Sequence, residues 1–233
     1  MCVSDWQRAG VAATLDHIGV ADRVRAVTLY NPVDDALRPD ATAVEADKLA
    51  FFSSPNKGLA FALDAFAHLK RRMPELRLMV GNPGYKSAWL ARAPGVEFLG
   101  ALPQARMHAE VRSALCTFFP NFVIPETFGL VFAESHALGT PVLTHECGAA
   151  LEIVADRAQV LPLRQAYRVY EAALTALPRS WRRGPAWLAA RAGLFDAYAE
   201  RIGAWRAGAR PRCGPDARFG AAYIMAQWRA LLA

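Results

Sequence analysis

The sequence has no long apolar stretch. Its longest run without a charged residue, Ser113 to Pro125, is 13 residues and contains Pro120 and Asn121. A helix that spans a bilayer needs about 20 apolar residues, so this run is too short and too broken. The N-terminus carries Asp5 and Arg8 where a signal peptide requires an apolar stretch. The expected location is the cytoplasm. The four cysteines, Cys2, Cys116, Cys147 and Cys213, are scattered without a C-x-x-C pair, and only His145 lies near one of them. Zinc needs clustered ligands, so reduced thiols and no metal are expected. G-x-G-x-x-G is absent as well, which argues against a nicotinamide-dinucleotide domain. Lysine is scarce: 23 of the 27 basic residues are arginine. Residues 1–150 are nearly neutral, with 14 basic residues against 15 acidic, whereas residues 151–233 carry 13 arginines against 6 acids. Those arginines alternate with Ala, Leu and Trp at helical spacing, which describes solvated helix faces. No nucleic-acid-binding motif accompanies them, so no nucleic-acid partner is expected, and an anionic membrane surface is not indicated.

What is present is a core. Hydrophobic residues make up 54% of the 233 and charged residues 21%, the balance of a globular chain. Ser4 and Gln7 form a capping box that opens a helix to about His17. Residues 24–30 read as a strand and 31–35 as a turn. Short apolar runs then alternate with amphipathic segments: strands at 49–53, 76–81, 96–100, 114–120 and 141–145, and helices at 58–73, 103–114, from Gly129 onward, and at 148–155. Residues 165–206 read as mostly helical, 206–216 as a break and 217–232 as a closing helix. Alternating strands and helices predict an α/β fold with a doubly wound, Rossmann-like parallel sheet and additional C-terminal helices. In such folds ligands bind outside the carboxyl ends of the strands, where strand order reverses.

Three loops therefore matter. In Phe51-Phe52-Ser53-Ser54-Pro55-Asn56-Lys57-Gly58 a lysine precedes a helix start, adding positive charge to an already positive dipole end. A bound anion would compensate, and a solvated lysine in a turn is the plain alternative. Gly81 to Tyr85 is a tight turn after a strand. Pro125 to Glu134 holds two carboxylates eight residues apart around an apolar run. Gly129 lets backbone approach a ligand, and carboxylates accept hydrogen bonds from vicinal hydroxyls. Either acid alone could equally be a helix N-terminal residue that favours the dipole.

The run Glu126-Thr127-Phe128-Gly129 through Glu134 to Gly139-Thr140-Pro141, the lysine loop, and Val96 to Gly100 between them resemble the retaining GT-B nucleotide-sugar glycosyltransferases of the large group 1 set. The likeness covers residues 20–155 well and the helical tail loosely. It implies the donor-binding domain of a GT-B fold. It further implies that Glu126 binds donor-sugar hydroxyls, that backbone amides of Phe128, Gly129 and Leu130 face sugar and phosphates with Thr127 beside them, and that Glu134 holds the ribose diol. Lys57 would neutralise the departing diphosphate, making Lys57 and Glu126 the catalytic pair. Such enzymes stabilise charge with basic residues and a helix N-terminus, so no cofactor and no metal is implied. The family's usual Gly-Arg at the end of the first strand is replaced here by Phe52-Ser53-Ser54, which leaves Ser53 and Ser54 to assist Lys57.

The resemblance divides the chain into residues 1–30 as the last piece of an acceptor-side domain, 31–205 as the nucleotide-sugar-binding domain, and 206–233 as a crossing helix. The expected partners are a nucleoside-diphosphate sugar, an unknown acceptor, and either a separate acceptor-domain chain or a second copy of this one. Sugar transfer is one reading. A non-catalytic nucleotide-sugar-binding module or truncated remnant, and a Rossmann-like binder unrelated to sugars, are the others. The closing helix, with Phe219, Tyr223, Ile224, Trp228, Leu231 and Leu232, is expected to leave part of an apolar face exposed.

Overall fold

A computed structural model describes residues 1–82, 93–122, 124–162 and 185–233, with side chains at 185–188 and 190 excepted. Six strands form one parallel sheet: β1 (Glu45–Phe52), β2 (Arg77–Gly81), β3 (Val96–Gly100), β4 (Ala114–Phe118), β5 (Val142–His145) and β6 (Val160–Leu161). Their spatial order is β3-β2-β1-β4-β5-β6, the Rossmann-like arrangement expected from the sequence. Strands β4 and β5 are buried throughout, as are Lys48 to Phe51 of β1, while edge strand β3 is largely open. Helices supply the cover. Helix α2 (Leu59–Arg72) buries Leu59, Ala62, Ala65, Phe66 and Leu69, the three-to-four spacing of one helical face. The others are α1 (Asp5–His17), α3 (Gln104–Arg112), α4 (Leu130–Ala137), α5 (Ala150–Ile153), α6 (Pro185–Ala204) and α7 (Ala221–Leu232). Helix α6 packs on α2, α3 on β1 and β4, and α4 on β5 and α5.

The predicted elements hold with three corrections. Residues 24–30 form no strand; Thr28 makes only an isolated parallel bridge with Cys2. Strand β1 starts at Glu45, in a charged stretch that the apolar pattern does not reveal. Strand β6 is unmarked in the sequence, because two residues carry no periodicity. Of the predicted helical stretch 165–206, residues 185–204 are helical, and 163–184 lie outside the described residues. Residues 83–85 of the Gly81 turn lie outside them too. The break falls at Gly208, with φ +108°, inside the turn of π-helix at Trp205–Ala209.

Helix α1 is capped as the sequence indicates, with Ser4 Oγ accepting from Gln7 N at 3.0 Å. Glu152 adds a second cap, its carboxylate accepting from Asp5 N at 2.8 Å and Trp6 N at 2.9 Å. The helix buries no residue of its own. On the closing helix Ile224 is buried, while Tyr223, Met225, Leu231 and Leu232 are exposed. Part of that apolar face is open, in line with the sequence pattern.

At the amino end of the sheet, Lys48 and Glu110 are both buried and pair at 2.6 Å, tying α3 to β1. Lys48 also donates to Ser113 Oγ at 2.6 Å, and Arg106 reaches the other Glu110 oxygen at 2.9 Å. Removing one partner of a buried pair strands the other charge, so Glu110→Ala is expected to cost about 3–5 kcal/mol in urea unfolding. Joint replacement by Lys48→Met and Glu110→Leu should restore most of it. A single-variant loss below about 1 kcal/mol would show that water screens the pair.

Candidate functional site

Strand order reverses between β1 and β4. Chain leaving β1 turns toward β2, chain leaving β4 turns toward β5, and their two loops cannot cover the gap between them. A cleft of about 340 Å³ opens there. Ser53, Lys57, Glu126, Thr127, Phe128, Gly129, Leu130 and Glu134 all line it. Ser54 does not. It is buried behind the loop, where its carbonyl accepts from Lys57 N at 2.9 Å and turns the chain.

The two helices that start at this gap share one feature. Gly58 and Gly129 are the N-cap residues of α2 and α4, at φ +88° and +89°, and neither helix has a side-chain cap. Left-handed backbone favours glycine, and a Cβ at Gly129 would lie 2.5 Å from the Phe132 ring. The α4 start lines the cleft, and without a side-chain cap its first N–H groups can meet an anion there, whereas at α2 Leu59 N already donates to Pro55 O at 3.1 Å. Phe128 fixes the loop before α4, its ring packed edge-on against Phe219 at 5.1 Å and near Tyr30 at 6.1 Å. Since that ring is 1% exposed, Phe128 can offer the cleft little beyond backbone.

Glu126 is held by its backbone. It forms an isolated parallel bridge with Gly148, and its carbonyl accepts from Ala149 N at 2.8 Å. Gly148 sits at φ +67°, and a Cβ there would come within 2.3 Å of the Glu126 carbonyl oxygen. The Glu126 side chain is buried, with Oε1 2.8 Å from the Lys57 ammonium. That oxygen makes no hydrogen bond among the described residues, and its ion pair there is with the Lys57 ammonium. Lys57 is also the only lysine or arginine among the described residues lining the cleft. Glu134, half-buried on α4, has its carboxyl pushed above the ordinary range by burial.

The sequence does not single out Gly148, Asn31 or His108. Asn31 and His108 line the same cleft. His108 is 8% exposed, its Nε2 has no hydrogen-bond partner among the described residues, and burial first, then Arg112, lowers its pKa. Its position three residues before Val111 on the buried face of α3 is a readable signal. Among the described residues no three His, Cys, Asp or Glu side chains cluster as metal ligands, and no helix is long and apolar enough to cross a membrane.

Gly148→Ala combines left-handed strain with a backbone collision and is expected to cost about 1–3 kcal/mol in urea unfolding; a variant as stable as the parent would mean that the Gly148 bridge does not place Glu126. Glu134→Gln should behave oppositely, with a pH signature. A raised carboxyl holds its proton more tightly folded than unfolded, so the parent loses stability as pH rises past the unfolded value of 4.5 and through the raised folded value. The variant escapes that loss. Melting temperatures should coincide at pH below the unfolded value of 4.5, with the variant higher once pH has passed the raised folded value; a pH-independent gap would contradict the assignment.

Comparison with known proteins gives the family and the fold. The family model for glycosyl transferases group 1 matches residues 47–177. A phosphatidyl-myo-inositol mannosyltransferase of Mycobacterium leprae is 30% identical over 112 residues, covering 46% of this chain and 30% of that protein. A D-inositol 3-phosphate glycosyltransferase of Corynebacterium efficiens is 31% identical over 161 residues, covering 60% of this chain and 38% of that protein. The chain thus spans about a third of the length of these curated relatives. The pneumococcal O-GlcNAc transferase GtfA, solved with UDP and GlcNAc, superposes with a TM-score of 0.62 at 14% identity, over 99% of this chain and 44% of GtfA. Anabaena HepE, solved with UDP, gives 0.60 at 17% identity, over 99% of this chain and 62% of HepE. These two likenesses show the fold, one domain of the GT-B architecture. On the family match, which takes in the lysine loop and both motif carboxylates, the chain belongs to the group 1 glycosyltransferases.

Proposed function

We propose that this chain is the donor-binding half of a retaining glycosyltransferase, which takes a sugar from a nucleoside-diphosphate sugar to an acceptor held elsewhere. The observation that carries the reading is the meeting of Lys57, the uncapped α4 N-terminus and two carboxylates in one cleft at the strand-order reversal. A diphosphate fits the positive elements: N–H groups at Leu130 and its neighbours on one side, Lys57 on the other. Hydroxyl groups fit the carboxylates. Glu126, beside Lys57, takes the sugar, and Glu134, further along α4, takes the ribose diol. Transfer then leaves negative charge on the departing diphosphate, which Lys57 and the α4 N-terminus stabilise without a metal. Ser53 lines the cleft where family members carry an arginine, so Lys57 bears more of that charge here.

Residues 31–205 form the donor-binding unit in this reading, and residues 1–30 with 206–233 form the side that faces the acceptor. The exposed apolar residues of the closing helix, and Trp6 on α1, support that division. Acceptor positioning supplies several kcal/mol of catalysis. The chain by itself should accordingly bind donor yet form no glycoside at enzymatic rates, until an acceptor domain or a second copy covers that side. The donor-binding module without transfer is the same site lacking that partner.

Calorimetry with UDP- and GDP-sugars tests the reading. Glu134→Ala should weaken binding by about 1–3 kcal/mol, the loss of hydrogen bonds to a charged acceptor. Lys57→Ala should weaken nucleoside diphosphate and sugar conjugate together, and parent affinity should fall steeply with salt. Salt-independent binding, or a folded Glu134→Ala variant with parent affinity, would contradict the roles assigned.

A further inference from the structure

Lys57 and Glu126 are bonded to each other, although each is assigned a different part of the donor. The ammonium stands 2.8 Å from Glu126 Oε1. The lysine is about one-third exposed, whereas Glu126 is 8% exposed and that oxygen, though ion-paired, makes no hydrogen bond among the described residues. Glu126 cannot easily move away, because its backbone is pinned to Gly148 and Ala149. Lys57, on a long flexible side chain at the rim, can. Any ligand that recruits the lysine thus leaves a buried carboxylate without its counter-charge.

This has opposite consequences for two ligands. A bare nucleoside diphosphate draws Lys57 to its phosphates and gives Glu126 nothing in return, while bringing further negative charge into the cleft. Burying an unpaired charge is unfavourable, and like charges add to it. A nucleoside-diphosphate sugar brings hydroxyl donors that replace the ammonium at Glu126. We propose that the Lys57–Glu126 ion pair makes the site select nucleoside-diphosphate sugar over bare nucleoside diphosphate, and expel the latter once the sugar has gone. After transfer the hydroxyls depart, Glu126 draws the lysine back, and the diphosphate loses its cation. The inference rests on the donor-binding reading above and gives the same pair a second role, discrimination between substrate and spent donor.

The test is calorimetry on the whole chain, parent against Glu126→Gln and Glu126→Ala, with UDP, GDP and their glucose or mannose conjugates. Neutralising Glu126 frees Lys57, so affinity for the bare nucleoside diphosphate that the parent binds should rise about tenfold, the worth of one charge-assisted contact. Affinity for its sugar conjugate should fall or stay level, and discrimination should collapse. The two variants guard against loss of fold, checked by melting temperature. A bare-diphosphate affinity that falls or is unchanged in both folded variants overturns the inference while leaving donor binding intact. A parent that binds no nucleoside diphosphate and no conjugate overturns the donor-binding reading itself.

Discussion

The parallel pairing of β1 with β4 is the constraint on which the rest of this molecule depends. It brings two chain segments about 70 residues apart in sequence side by side, with Leu49 opposite Cys116 and Ala50 opposite Thr117. It is also where strand order reverses, so the loops that follow diverge and leave a cleft. Both loops end at a glycine in left-handed backbone, and the one that follows β4 brings the uncapped α4 N-terminus to the opening. Among the described residues lining the cleft, the positive elements are this helix start and Lys57. Negative charge comes from Glu126 and Glu134, placed where neutral hydroxyls rather than phosphates can satisfy them.

Rigidity is distributed unevenly around this cleft. Phe128 packs between Tyr30 and Phe219, and Glu126 is locked by its bridge to Gly148, so the α4 side is fixed by the core. On the β1 side the Lys57 side chain is partly solvated, and among the described residues its ion pair is to Glu126. The flexible charge and the fixed acceptor are matched to each other. In the proposed reading, donor binding exchanges these partners rather than adding contacts, which would make the site sensitive to what the ligand carries at both ends.

Much of this is legible in the sequence. Both carboxylates, the lysine loop and the alternation of strands with helices stand out because each depends on local pattern or on residue types that are unusual in their setting. What stays hidden depends on partners distant in the chain. The stretch 24–30 has strand composition but no neighbouring strand to complete it, only the bridge between Thr28 and Cys2. The charged start of β1 becomes strand because Glu110, more than sixty residues away, neutralises Lys48. Gly148 owes its place to a backbone 22 residues earlier, and no local pattern marks it. The neighbours of Ser54 suggest that it faces the ligand, yet the turn that presents Lys57 puts Ser54 underneath.

The central claim is that the α4 helix start and the Lys57 loop form one diphosphate-binding surface. Backbone amide chemical-shift mapping of the isotopically labelled chain, titrated with UDP and with GDP, tests it directly. The account predicts that one of them moves the amides of Lys57 and of Phe128 to Val131 together, with a single affinity, and leaves those of α1 and α7 in place. Shifts confined to one of these two segments, or scattered away from both, would contradict it.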